Sequence, residues 1–132
     1  SNIVDNNDGT RWSSPYTDHP HWVKYDFGAG VKFKISKITI KPYYAPPSQV
    51  RVFTVSGSND DITFTDIYTG EAADNGNTQT FTFNNKTAYR YIKITITTTY
   101  YNDKFISIYE IQMFEGIYPA IGGFSGLNPW IF

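Results

Sequence analysis

The chain has 132 residues, a net charge of −1 and no cysteine. That length fits one domain with a sizeable core, and the near balance of charge argues against a basic field for nucleic acid or an anionic membrane. Without cysteine there is no disulfide, thiolate metal site or cysteine nucleophile, and no run approaches the ~18 apolar residues of a membrane span.

Charged residues make up only 17% of the chain and aromatics 18%, with eleven Tyr and ten Phe, a β-sheet composition with aromatics to spare for a binding surface. No signal peptide is visible, and the chain opens on Ser1 rather than Met, so a piece of a longer or processed protein is expected.

Asp5-Asn6-Asn7-Asp8-Gly9-Thr10-Arg11-Trp12 suits neither strand nor helix. Asn, Asp and Gly favour a tight turn, because the side chains bond their own backbone and Gly tolerates positive φ. A turn this rich in oxygen suits a hard cation such as Ca²⁺, and an ordinary polar loop is the alternative. It is no EF-hand, since Tyr16 stands where that loop needs its twelfth-position Glu. In the polar loop that follows, His19 and His21 flank Pro20 and would face the same way in an extended chain. With no third His and no Cys, loop packing suits them better than a shared metal.

Strands are then expected in succession. Trp22 to Phe27 alternates with Val23, Tyr25 and Phe27 inward and stops at Gly28. Lys32 to Lys41 changes phase between Ile35 and Ile38, which predicts a bulge or bend near Ser36. Pro42 to Pro47 breaks it and holds Tyr43 and Tyr44 as a stiff aromatic knuckle. Further strands are expected over Val50 to Ser56, Ile62 to Tyr68, Thr80 to Phe83, Tyr89 to Thr98 and Phe105 to Glu115, with a Gly/Asn/Asp-rich loop from Thr69 to Thr78. Asn85-Lys86-Thr87 is a glycosylation sequon in pattern.

In the last strand one face reads Ile106, Ile108, Glu110, Gln112, Phe114. A carboxylate in line with an apolar stripe must find a cation or donors, either a structural Arg or Lys or a metal shared with the Asp5 turn. No helical period occurs, so the fold class is an all-β antiparallel sandwich or barrel. From Ile117 the character changes to an apolar, Gly-rich extension, and Phe124, Leu127, Trp130, Ile131 and Phe132 would be a liability free in water. The expected division is a sandwich over 1–116 and an extension over 117–132.

Six motifs in order carry a family resemblance: Val4-Asp5, Thr10-Arg11-Trp12-Ser13-Ser14, Pro20-His21-Trp22-Val23-Lys24-Tyr25-Asp26-Phe27-Gly28, Val55-Ser56-Gly57-Ser58-Asn59-Asp60, Tyr89-Arg90-Tyr91-Ile92-Lys93-Ile94 and Ile106-Ser107-Ile108-Tyr109-Glu110-Ile111. Together they resemble the coagulation factor V/VIII type C (discoidin) domains, and most of all their relatives, the family-32 carbohydrate-binding modules. The resemblance implies a jelly-roll β-sandwich of the galactose-binding-domain type. It also implies a structural Ca²⁺ between the Asp5 turn and Glu110. Asp5 and Glu110 would give side-chain oxygens and Thr10 its hydroxyl and carbonyl, with Asn7, Asp8 and Gln112 as further donors.

By the same resemblance, ligands bind at loops on one end, here Ser13 to His21, Pro42 to Ser48 and Thr99 to Phe105. Phe105 stands at the position of a sugar-stacking aromatic, and Asn102 suits a hydroxyl. Ser13 and Tyr43 replace the His and Arg usual for galactose, which argues against galactose and weakens sugar binding at this site, though His19, Tyr44, Tyr100 and Tyr101 could rebuild a different pocket. The candidate ligand-binding residues are His19, His21, Tyr43, Tyr44, Tyr100, Tyr101, Asn102 and Phe105, with aromatic padding of the loop end as the alternative. The family usually has a strand before the Asp5 motif, where this chain has only Ser1 to Val4. The 117–132 extension could fill that edge in its own domain or a neighbour's.

Three functions follow. The first is a non-catalytic module that recognises a glycan. The second is a structural or assembly domain of a virion or cell-surface protein that keeps the fold without sugar binding. An enzyme comes last: Gly-x-Ser-x-Gly, His-Glu-x-x-His and a phosphate-cradling glycine loop are all missing. The expected partners are a glycan and, through residues 117–132, a protein or a second copy of the chain, with no nucleic acid and no membrane insertion. The expected location is extracellular, on a cell surface or on a virion surface.

Overall fold

The computed structural model describes residues 12–15, 17–43, 49–101, 104, 106–115 and 129–131, with the backbone alone for Trp12 and 129–131. The described residues form nine strands and no helix: β1 Trp12–Ser13, β2 His21–Asp26, β3 Ile35–Pro42, β4 Val50–Ser58, β5 Thr65–Glu71, β6 Gln79–Thr82, β7 Tyr91–Thr99, β8 Ser107–Glu115 and β9 Pro129–Ile131. They make two antiparallel sheets. One runs β1-β8-β3-β6 with β9 also on β8, and the other runs β2-β7-β4-β5. This is the all-β sandwich expected from the short, alternating strands.

The core lies between the sheets. Ile92, Ile94 and Ile96 of β7 alternate with Tyr91, Lys93 and Thr95, and the three isoleucines are buried. They meet Val55 and Phe53 of β4 on their own sheet and Ile38, Ile40, Ile111 and Met113 from the other. Phe53 is fully buried, with the Phe81 ring edge-on at 4.8 Å. Removing this much apolar surface from water is the main force holding the sheets together.

The bulge expected near Ser36 is present, as a register shift between Ile35 and Lys37. A second shift, between Lys41 and Pro42, was not foreseen. It places Lys41 opposite Glu110 but Pro42 opposite Ile108, leaving Tyr109 as the extra residue of β8. An inserted residue reverses the in–out phase. The single buried face expected for β8 therefore does not persist: Ile106, Ile108 and Glu110 are buried, and then Ile111 and Met113 in place of Gln112 and Phe114.

The strand expected from Ile62 starts instead at Thr65. Asp60 Oδ1 accepts the N–H groups of Ile62 and Thr63 at 2.9 and 2.8 Å, and Asp61 takes φ 62°. Such a turn removes those N–H groups from any ladder, and Ile62 is left 83% exposed. These bonds also hold the Asp60 carboxyl below its ordinary range. The end of β2 is closed in a related way. Gly28, with φ 113°, donates its N–H to Asp26 Oδ1 at 2.8 Å, and Arg90 grips both oxygens of Asp26 at 2.7 and 2.9 Å. In the sequon, Asn85 Nδ2 donates to the Ile35 carbonyl at 2.9 Å, so the acceptor nitrogen is engaged in the fold.

β9 pairs antiparallel with β8, Gln112 opposite Ile131 and Phe114 opposite Pro129. It occupies the same edge of β8 as β1, which pairs at Ile108 and Ser107. Three residues of the apolar extension thus lie along the sheet edge within one chain. The other residues of the extension lie outside the described residues.

Candidate functional site

Antiparallel pairing gathers four connections at one end of the sandwich: residues 14–20 before β2, 43–49 between β3 and β4, 72–78 between β5 and β6, and 100–106 between β7 and β8. Three of them are the loops expected to bind a ligand. The fourth, 72–78, reads in the sequence only as a Gly/Asn/Asp-rich loop with no assigned end.

His21 ties the first connection to the last. It follows the inward phase of Val23 and Tyr25, so its side chain is buried. Its Nε2 lies 2.9 Å from the Thr17 carbonyl and 2.8 Å from the Lys104 carbonyl. Both partners only accept, so Nε2 carries the proton and donates to the pair. Thr17 N–H also donates to the Lys104 carbonyl, at 2.9 Å, and Ile106 N–H donates to Ser14 Oγ at 3.0 Å. The His19 ring, half-buried, meets His21 edge-on at 5.0 Å. Asp18 and Lys104 pair on the surface above, which holds the Asp18 carboxyl below its ordinary range.

The second connection carries Tyr43, half-buried against Tyr109 at 5.2 Å, with its N–H on the Ser107 carbonyl. At its other end stands Gln49, fully buried. Gln49 Nε2 donates to the carbonyls of Ala73 and Asn75 at 3.3 and 3.2 Å, and the Gln49 backbone carbonyl accepts the Tyr100 N–H at 3.1 Å. Tyr100 and Tyr101 are in contact, ring centres 6.3 Å apart. The Tyr100 hydroxyl donates to the Ala72 carbonyl at 2.6 Å, and the Tyr101 hydroxyl donates to Asp74 Oδ2. The Tyr101 side chain is 53% exposed. An exposed aromatic ring beside fixed polar groups is the arrangement that suits a ligand with one apolar face and several hydroxyls.

The structure therefore forms two groups from the candidate residues: His19 with His21, and Tyr100 with Tyr101. Gln49 and Asp74 join the second group and were missed. Both sit in connections visible as loops, but only the strand order shows that 72–78 shares the end with 100–106. Tyr44, Asn102 and Phe105 lie outside the described residues, as do the cation candidates Asp5, Asn7, Asp8 and Thr10. Of the cation donors, Glu110 and Gln112 are described, both on β8: Glu110 is 8% exposed, and Gln112 accepts the Thr39 hydroxyl on its Oε1 at 3.3 Å. The pairing of Trp12 with Ile108 brings the start of β1 within two strand positions of Glu110. Among the described residues, no three His, Cys, Asp or Glu cluster as a metal site.

This sandwich is one that known proteins share. The F5/8 type C domain family matches residues 1–111, and the chain belongs to that family. Among solved structures, CpGH89CBM32-5 from Clostridium perfringens, in complex with GalNAc-beta-1,3-galactose, superposes with a TM-score of 0.73 at 23% identity, over 84% of this chain and 79% of that one. The family 32 module of NanJ from the same organism, in complex with galactose, gives 0.70 at 23% identity over 84% and 80%. The family 32 module of AlyQ, in complex with 4,5-unsaturated mannuronic acid, gives 0.69 at 23% identity over 86% and 84%. At these identities the likeness shows the fold. No match is found among curated protein sequences.

Proposed function

We propose that this chain is a non-catalytic glycan-binding module that holds its ligand at the four-loop end. The observation that carries this reading is the exposed Tyr101, fixed through its hydroxyl to Asp74 and seated beside Tyr100, at the end where the loops converge. An aromatic face takes the apolar C–H side of a sugar ring, and the polar groups around it take the hydroxyls. Three structurally similar modules carry sugars in their solved complexes, which supports the ligand class. Tyr44, Asn102 and Phe105 belong to the same loops by sequence and are proposed as further contacts. A secreted or surface-exposed parent protein fits such a module.

A structural Ca²⁺ is part of the proposal. Asp5, Asp8 and Glu110 bring carboxylates, Asn7 an amide and Thr10 a hydroxyl, an all-oxygen donor set that fits a hard cation. A buried carboxylate at Glu110 fits that role as well. The ion would pin the turn before β1 to β8 and do no chemistry.

A glycan array read with wild type, Tyr101→Ala and Phe105→Ala tests the ligand. Binding that weakens in either variant is expected. Binding unchanged in both would move the site away from these loops, and no binding at all would leave an assembly role as the better account.

A further inference from the structure

We infer that Asp74 is a specificity-determining residue of this end, selecting neutral glycans against carboxylated ones. The inference rests on the glycan-binding reading above. Asp74 is held in place on several sides. Gln49 bonds the carbonyls on either side of it, at Ala73 and Asn75, and the Tyr101 hydroxyl donates to its Oδ2. Its other oxygen, Oδ1, is shielded from solvent and has no hydrogen-bond partner among the described residues. The carboxylate is thus fixed beside an exposed ring, and no described donor takes up its second oxygen.

Two of the basic groups near Tyr100 and Tyr101 are engaged by acids. Lys104 is engaged by Asp18. Arg51, whose guanidinium stands 5.2 Å from the Tyr100 ring centre, is engaged by Glu71 at 2.7 Å. No ion pair is formed by Asp74 among the described residues, and by sequence the 100–106 connection adds a second acid, Asp103. The 43–49 connection carries no charged residue. A ligand stacked on Tyr101 would meet a net negative field. Asp74 Oδ2, which accepts from Tyr101, has a second lone pair for a ligand hydroxyl, whereas a uronate presents a like charge to it. Like-charge juxtaposition is a common way to reject a wrong partner.

The test compares wild type, Asp74→Asn and Tyr101→Phe on an array of neutral galactose- and N-acetylgalactosamine-containing glycans beside oligomannuronate and oligogalacturonate, with matched melting temperatures as the fold control. Wild type should prefer the neutral set. Asp74→Asn removes the charge at constant shape, and it should narrow that preference by about fivefold, the worth of one like-charge contact at a wet site. Tyr101→Phe keeps the charge while releasing Asp74 Oδ2, so uronates should stay disfavoured relative to neutral sugars whatever happens to overall affinity.

Three results overturn the inference while leaving glycan binding intact: wild type binding uronates as well as neutral sugars, an unchanged preference in Asp74→Asn, or loss of neutral binding in that variant with no gain for uronates. Wild type binding nothing on the array overturns the glycan reading and this inference together.

Discussion

His21 holds Lys104: its Nε2–H donates to the Lys104 carbonyl at 2.8 Å and shares that proton with the Thr17 carbonyl at 2.9 Å. A side chain at the first residue of β2 therefore fixes two loops of the four-loop end from below. His21→Ala should cost about 1 kcal/mol of stability, the usual net loss of a hydrogen bond, because the Thr17 carbonyl loses the imidazole donor while the Lys104 carbonyl keeps the Thr17 N–H. Urea denaturation measures this, and His21→Gln, whose amide can still donate, should recover part of it. An unchanged midpoint in His21→Ala would show that the loops hold without it.

At the opposite end, Arg90 and the Gly28 N–H hold the Asp26 carboxyl at about 2, against an ordinary value near 3.8. A carboxyl whose folded value is depressed adds stability above its unfolded value and loses it as pH falls toward the folded one. This contribution should be complete above about pH 4 and fade between about 4 and 2. The pair is exposed, so the effect is small. Urea midpoints of wild type and Asp26→Asn should converge across that window. Parallel curves would remove the pair from the account.

Gly57 lies in the core of β4, and a Cβ there would stand 2.3 Å from Cδ2 and 2.5 Å from Cγ of Tyr89. Tyr89 cannot easily yield, because its backbone exchanges two hydrogen bonds with Phe33, at 3.0 and 3.1 Å. Gly57→Ala should cost about 1–3 kcal/mol through overpacking. The same change made in a Tyr89→Ala background should cost far less, and equal costs in the two backgrounds would show that the clash is not the cause.

The proposed cation gives a fourth expectation. Calcium should raise the melting temperature and a chelator should lower it, because an ion bound only by the folded chain stabilises it by mass action. At a hundredfold excess over its dissociation constant the gain is about 2.7 kcal/mol. Glu110→Gln should abolish the response. A melt indifferent to calcium would leave the Glu110 carboxylate to be balanced by protein groups alone.

Strands with clean period-two patterns were legible in the sequence. Ile92, Ile94 and Ile96 announced β7, and the change of phase between Ile35 and Ile38 announced the bulge at Ser36. The bulge at Tyr109 was not legible, because Ile106, Ile108, Glu110 and Phe114 make an acceptable stripe until the pairing with β3 is known. The late start of β5 was missed for a local reason: Ile62 looks like a strand residue, yet Asp60 captures its N–H.

At the four-loop end, Tyr100 and Tyr101 stand out in the sequence as aromatics in a loop, and the structure seats them together. Asp74 and Gln49 did not stand out, since one is an acid in a polar loop and the other follows the proline-rich break. Their roles depend on β5 and β6 turning at the same end as β7 and β8, which is a property of strand order and not of local sequence.

On the proposed reading, this end of the sandwich, and not the other, receives a glycan. The most direct measurement is a ¹⁵N-labelled NMR titration with the strongest array ligand. Amide shifts are expected to concentrate in residues 14–20, 43–49, 72–78 and 100–106, with the Tyr101 and Asp74 amides among the largest. Shifts centred instead on the far end, over residues 27–34, 59–64 and 83–90, would contradict it.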